Sequence, residues 1–174
     1  KALPATPPLF SRGFEAADLE KHLSRYEDTA GQAGMTEREA LARAASNELA
    51  RLAASPLPGG LYLVATPIGH LSDITLRALH VLQQADVVYC EDTRHSARLL
   101  QHYAIAAETR AFHEHNEDGE GVRVLKLLEA GKRIALISDA GMPLVSDPGF
   151  KLVRACAESG IAVTCVPGAT ASLS

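Results

Sequence analysis

The chain has no tryptophan, two methionines and few aromatic residues, 5% of 174 positions. Its core must therefore be filled mostly by aliphatic side chains. Its longest apolar runs are strand-sized, which excludes a membrane-spanning helix. No run of basic residues stands out, and the formal net charge is −4, so composition gives no sign of nucleic-acid binding. The cysteines, Cys90, Cys156 and Cys165, are odd in number and form no C-x-x-C pair. They are expected to be buried free thiols of a cytoplasmic protein. The start, KALPATPPLFSRGF, lacks the continuous apolar segment of a signal peptide. It opens on Lys rather than Met, as a fragment or processed form would. Neither G-x-G-x-x-G nor G-x-x-x-x-G-K-[ST] occurs, which disfavours a pyrophosphate cradle.

What is present is a hydrophobic content of 47%, ordinary for a globular protein, and a length that suits one domain with an appendage. Residues 1 to 13 carry three prolines and read as a loose arm. Helix-like patterns cover 15–26 and a stretch opening at Thr36, where Glu39 completes a capping-box spacing. Leu41, Ala45, Leu49 and Leu52 fall on one face of the second. Residues 55–60, SPLPGG, read as a linker. From there strand-like and helix-like stretches alternate. Strands are expected at 61–65, 86–90, 109–112, 134–138 and 162–166. Helices are expected at 74–84 with Ser72 as cap, and at 93–103, 122–130 and 150–158. This pattern predicts an α/β fold: a parallel sheet with helices on both faces and right-handed crossovers. A helical N-terminal extension, 1–58, precedes the α/β domain, 59–174.

The stretch IALISDAGMPLVSDPG, residues 134–149, organises the rest. Its apolar start suits a strand buried on both faces. Its loop is too rich in Gly and Pro to be helix or strand. Two further turns, TPIG at 66–69 and PGATA at 167–171, also end strands. Parallel strands end on one side, so all three corners are expected to gather at one rim of the sheet, where open α/β sheets bind ligands. Small residues there leave backbone free for close approach. The alternative is a plain strand-to-helix connection.

Several polar groups invite chemistry. Glu91 or Asp92 can take a proton from a hydroxyl, and Arg94 can grip a phosphate or carboxylate. The rival reading makes Asp92 a helix cap, with Arg94 its solvated partner. His113-x-His115 with Asn116 is expected to be a polar loop reaching over the site; the rival readings are a solvated loop and a metal pair, for which no third ligand stands at metal spacing. Asp139 either fixes a polar ligand group or orders its own loop.

The segments LYLVATPIGHLSDITLRAL, EDTRHSARLL, FHEHNE, ALISDAGMPLVSDPG and VPGATA resemble, in order and spacing, the rRNA small subunit methyltransferase I family. That family lies in the tetrapyrrole methylase superfamily of class III methyltransferases. The resemblance covers about 60–174 and does not reach 1–58. It implies an S-adenosylmethionine-dependent enzyme that methylates the ribose 2′-hydroxyl of a cytidine in the 16S rRNA of the small ribosomal subunit. It also implies two α/β domains with the cofactor between them, of which this chain resembles the first alone. Cofactor contacts carried over by motif fall on Pro67, Asp139, Ala140, Gly141, Met142, Val145, Thr170 and Ala171. Family members are typically homodimers. Two positions depart from the pattern: His70 stands where the family has Asn, and Met142 where it has Thr.

Methyl transfer to a hydroxyl needs alignment with the sulfonium methyl and removal of a proton. Glu91, Asp92 and His113 are the candidate bases, with Arg94 and Asn116 as RNA-orienting groups. No metal is expected. Two rivals remain: a methylase acting on a tetrapyrrole, and a non-catalytic truncated module of the same fold.

Overall fold

The computed structural model describes residues 36–144 and 149–170. The arm at 1–13 and the helix-like stretch at 15–26 lie outside them. The chain parts into two compact units, 1–43 and 44–174. Helix α1 (Glu37–Ala53) opens with the expected capping box: the Thr36 N–H donates to Glu39 Oε2 at 2.8 Å, and the Glu39 N–H to Thr36 Oγ1 at 3.4 Å. None of its residues is buried.

The second unit holds a parallel sheet with strands β1 (Gly60–Val64), β2 (Val87–Cys90), β3 (Thr109–Ala111), β4 (Arg133–Ile137) and β5 (Val163–Val166). The spatial order is β3-β2-β4-β1-β5. β4 lies at the centre, and Ile134 to Ile137 are buried without a break, as a strand covered on both faces requires. Helices α2 (Leu76–Gln84), α3 (Thr93–His102), α4 (Glu117–Glu129) and α5 (Phe150–Glu158) make the crossovers.

Strand alternation sorts the core into two layers. Leu61, Leu63, Tyr89, Ile134 and Leu136 face α4 and α5 through Val124, Leu128, Leu152 and Cys156. Tyr62, Val64, Val88, Ala135 and Ile137 face α2 and α3 through Val81, Leu82 and Leu100. Tyr89 and Phe112 meet edge to face, with ring centroids 6.0 Å apart, and carry much of the sparse aromatic volume. The crossovers after β1 and β2 thus cover one face, and those after β3 and β4 the other. The winding reverses at β4, so the loops after β1, β2 and β4 meet at a topological switch point.

Three expectations are corrected. Helix α2 is capped by Thr75, whose Oγ1 accepts the Ala78 N–H at 3.1 Å, because Ser72 is taken up in a separate 3-10 turn, Leu71–Asp73. Helix α4 begins at Glu117, five residues before 122: Gly119 and Gly121 weaken its sequence signal without breaking it. Cys165 is exposed, because β5 is an edge strand; Cys90 and Cys156 are buried, and burial pushes both thiols up.

Candidate functional site

Two strands that run parallel are clasped by an antiparallel bridge just past their ends. The Thr66 N–H donates to the Gly141 carbonyl at 2.9 Å, and the Gly141 N–H returns the bond to Thr66 at 3.1 Å. Buried Thr66 adds a side-chain bond, its Oγ1 donating to the Ser138 carbonyl at 3.0 Å. Ser138 Oγ donates to the Gly141 carbonyl at 3.2 Å. The hydroxyls thus satisfy carbonyls that the ending strands leave open. Gly168, after β5, completes the cluster: a Cβ there would stand 3.0 Å from Ala65 Cβ, so that corner also presses against the end of β1. The corners that carry Pro67, Gly141 and Gly168 therefore gather at one rim.

The end of β2 joins them through Asp139, whose Oδ1 accepts the Asp92 N–H at 3.2 Å. Asp139 neither closes its own loop nor stands clear; it ties one corner to the next. Asp92 is the N-cap of α3, its Oδ1 accepting the Arg94 N–H at 2.8 Å. That backbone bond holds its carboxyl below the usual range, which makes it a weak proton acceptor at neutral pH. Arg94 is 92% exposed and 3.7 Å from Asp92, so the solvated-partner reading describes it. Glu91 is exposed at the same turn.

A cleft of about 290 Å³ opens beside the clasp. Thr66, Pro67 and Gly69 line it from the loop after β1, and Ser138 and Asp139 from the loop after β4. Helix α3 supplies the other wall through His95, Ser96 and Arg98. Sequence reasoning passed over these three and Thr66. The available signal was the helical register: once α3 starts at Asp92, residues 95, 96, 98 and 99 share the face that looks along the sheet edge.

His113 lies beyond β3. Its N–H donates to Asn116 Oδ1 at 2.8 Å, and Asn116 Nδ2 donates to the Ala111 carbonyl at 2.9 Å. The His113 Nδ1 is buried without a hydrogen-bond partner among the described residues, and the ring meets that of His115 edge to face at 5.9 Å. Asn116 therefore shapes this loop from within. Its neighbour Glu117 does more: Oε1 accepts the Gly149 N–H at 2.9 Å, fastening the far end of the loop after β4. Gly149 is required there, with φ +126° and with Leu144 Cδ2 only 2.7 Å from where a Cβ would lie. Leu144 itself holds a left-handed φ of 76°, a strain of about 1–3 kcal/mol that the surrounding packing must sustain.

Among the other residues named from sequence, Ala140 is exposed on the rim and Thr170 lies within the corner after β5. Val145 and Ala171 are outside the described residues. The two departures from the family pattern are absorbed locally. His70 Nδ1 accepts the Ser72 N–H at 3.2 Å and caps the 3-10 turn, a bond that an Asn side chain would also make. Met142 packs against the core layer under α4 and α5. Among the described residues no group of three or more His, Cys, Asp or Glu side chains is placed to hold a metal ion. No helix among them is long and apolar enough to cross a membrane.

A family model described as tetrapyrrole (corrin/porphyrin) methylases matches residues 60–174. The ribosomal RNA small subunit methyltransferase I of Mesorhizobium japonicum is 55% identical over 120 residues, covering 69% of this chain and 41% of that protein. Its namesake in Pasteurella multocida is 54% identical over 117 residues, covering 67% and 42%. Among solved structures, uroporphyrin-III-C-methyltransferase from Thermus thermophilus superposes with a TM-score of 0.53 at 28% identity, over 64% of this chain and 47% of that one. A cobalt precorrin-4 methyltransferase superposes with a TM-score of 0.55 at 24% identity, over 65% and 47%, which speaks for the fold alone. The chain spans about two fifths of the length of the curated relatives it matches.

Proposed function

The chain belongs to the tetrapyrrole (corrin/porphyrin) methylase family, and we propose that its protein is an S-adenosylmethionine-dependent methyltransferase acting on the ribose 2′-hydroxyl of a cytidine in 16S rRNA of the small ribosomal subunit. The observation that carries this reading is the contrast in identity. It is 54–55% to two ribosomal RNA methyltransferases and 28% to the uroporphyrin enzyme. A homodimer working in the cytoplasm, with the 30S subunit as partner, completes the proposal.

The rim fits the cofactor by its chemistry. S-adenosylmethionine carries no phosphate, and the described residues of the rim offer small side chains, hydroxyls and backbone at the clasp. Pro67, Asp139, Ala140, Gly141, Met142 and Thr170 are the described residues that would hold it. When bound, it supplies a methyl group on a positive sulfur that is already a good leaving group. The chain then has to position, desolvate and accept a proton. The clasp holds Gly141 and the Glu117 carboxylate holds Gly149, so positioning falls to backbone anchored at those two points. Asp92 is engaged as a cap, which leaves Glu91 and His113 as the candidate bases.

Tetrapyrrole methylation is the second reading, favoured by the name of the family model and by the uroporphyrin relative. A tritiated-methyl assay on 30S subunits and on a tetrapyrrole separates the two. Label in the subunits supports the rRNA reading; label only in the tetrapyrrole refutes it.

A further inference from the structure

The cleft beside the clasp contains a group that the fold does not account for. Ser96 is 3% exposed and lines the cleft, yet its Oγ has no hydrogen-bond partner among the described residues. The Cys90 thiol lies within reach of it but is a weak donor and acceptor, and leaves the hydroxyl without a well-formed hydrogen bond. A buried hydroxyl without a partner is destabilising, and nearly all buried polar groups find one. Alanine would fill the α3 position without that cost and with better helix propensity. The hydroxyl makes sense if a ligand in the cleft completes the bond.

The rest of the lining says what kind of ligand. Thr66 and Ser138 belong both to the cleft and to the clasp, and Pro67 and Asp139, which line the cleft, are among the residues argued for the cofactor, so an occupant lies next to that place. Arg98, exposed on the outer wall two residues after Ser96 and one turn from His95, has no ion-pair partner among the described residues. Its guanidinium is free to take a phosphate bidentately. A volume of about 290 Å³ is at the small end for ligand sites. It suits one nucleotide and is cramped for a tetrapyrrole macrocycle. A cleft of this size admits a nucleotide only once it has left its stack, and single-stranded RNA is read in this way, by unstacked bases taken up on the protein.

We propose that this cleft receives the acceptor nucleotide, unstacked from the RNA, with Ser96 Oγ hydrogen-bonded to it and Arg98 on a flanking phosphate. The inference rests on the rRNA reading above. Ser96 and Arg98 are then contact residues for the acceptor and not for the cofactor.

The test uses the intact protein with 30S subunits, comparing wild type, Ser96→Ala, Ser96→Thr and Arg98→Ala. For each, kcat/KM for the subunit, cofactor Kd and Tm are measured. Ser96→Ala is expected to lower kcat/KM about tenfold, with cofactor Kd unchanged and Tm unchanged or raised. Ser96→Thr, which keeps the hydroxyl, is expected to retain most of the activity. Arg98→Ala is expected to raise KM and to flatten its dependence on salt. A kcat/KM for Ser96→Ala within twofold of wild type overturns the assignment. So does a fall in Tm with loss of cofactor binding, which would make Ser96 a packing residue. If wild type labels 30S subunits and the variants do also, only the acceptor cleft fails. If wild type labels none, the rRNA reading fails and takes the cleft with it.

Discussion

Thr66 and Gly141 exchange both of their backbone hydrogen bonds, at 2.9 and 3.1 Å, across the ends of two strands that run the same way. The pairing turns the loop after β4 back over the end of β1. Thr66 then secures it with Oγ1 on the Ser138 carbonyl. Thr66→Val keeps the shape and removes that donor from a buried carbonyl. It is expected to destabilise the fold by about 1–3 kcal/mol and to weaken cofactor binding by more than the loss of folded protein explains. Urea unfolding and calorimetry on one preparation separate the two effects.

Glu117 holds the other end of the same loop. Glu117→Ala leaves the Gly149 N–H without its acceptor. Cofactor affinity is expected to fall severalfold, whereas Glu117→Gln, which keeps a carbonyl acceptor, is expected to lose much less. Equal losses in the two variants would point to the charge, including Lys151 at 3.8 Å, rather than to the bond.

Much of this arrangement was legible in the sequence, and the gaps have physical causes. IALI at 134–137 announced a central strand, and the alternation of strands with helices announced parallel pairing. The gathering of three glycine- and proline-bearing corners followed from that topology alone. Cys165 was misjudged because a strand's apolar pattern does not say whether it ends up at the edge. Ser72 reads from sequence as the cap of the helix after β1, and only tertiary context shows that it belongs to a separate turn and that Thr75 caps the helix. Glu117 meets Gly149 across 32 positions, a pairing with no local signature. Ser96 looked like any polar residue on a helix until the opposite wall of the cleft was in place.

Asp86 and Arg133 give the fold a pH dependence of definite sign. Asp86 accepts from the Arg133 backbone N–H at 2.8 Å and from its guanidinium at 2.9 and 3.0 Å. The side-chain bonds of Arg133 hold the carboxyl well below the usual aspartate range. A depressed folded pKa means that the unfolded chain binds the proton more readily. The stabilisation is therefore complete above the unfolded value of about 3.9 and is lost as pH falls through and below it. Asp86→Asn is expected to cost about 1–2 kcal/mol at pH 7, since both partners are part-exposed. The difference from wild type should shrink towards pH 2. Urea midpoints at pH 7, 4 and 2.5 test this; a constant gap would contradict it.

The gathered corners are tested most directly by amide chemical shifts of the isotope-labelled intact protein as S-adenosylhomocysteine is titrated in. The account predicts that Thr66, Ala140, Gly141 and Gly168 respond together, along one saturation curve, while Gly119 and Gly160 stay still. Shifts confined to one corner, or centred on a different edge of the sheet, would contradict it.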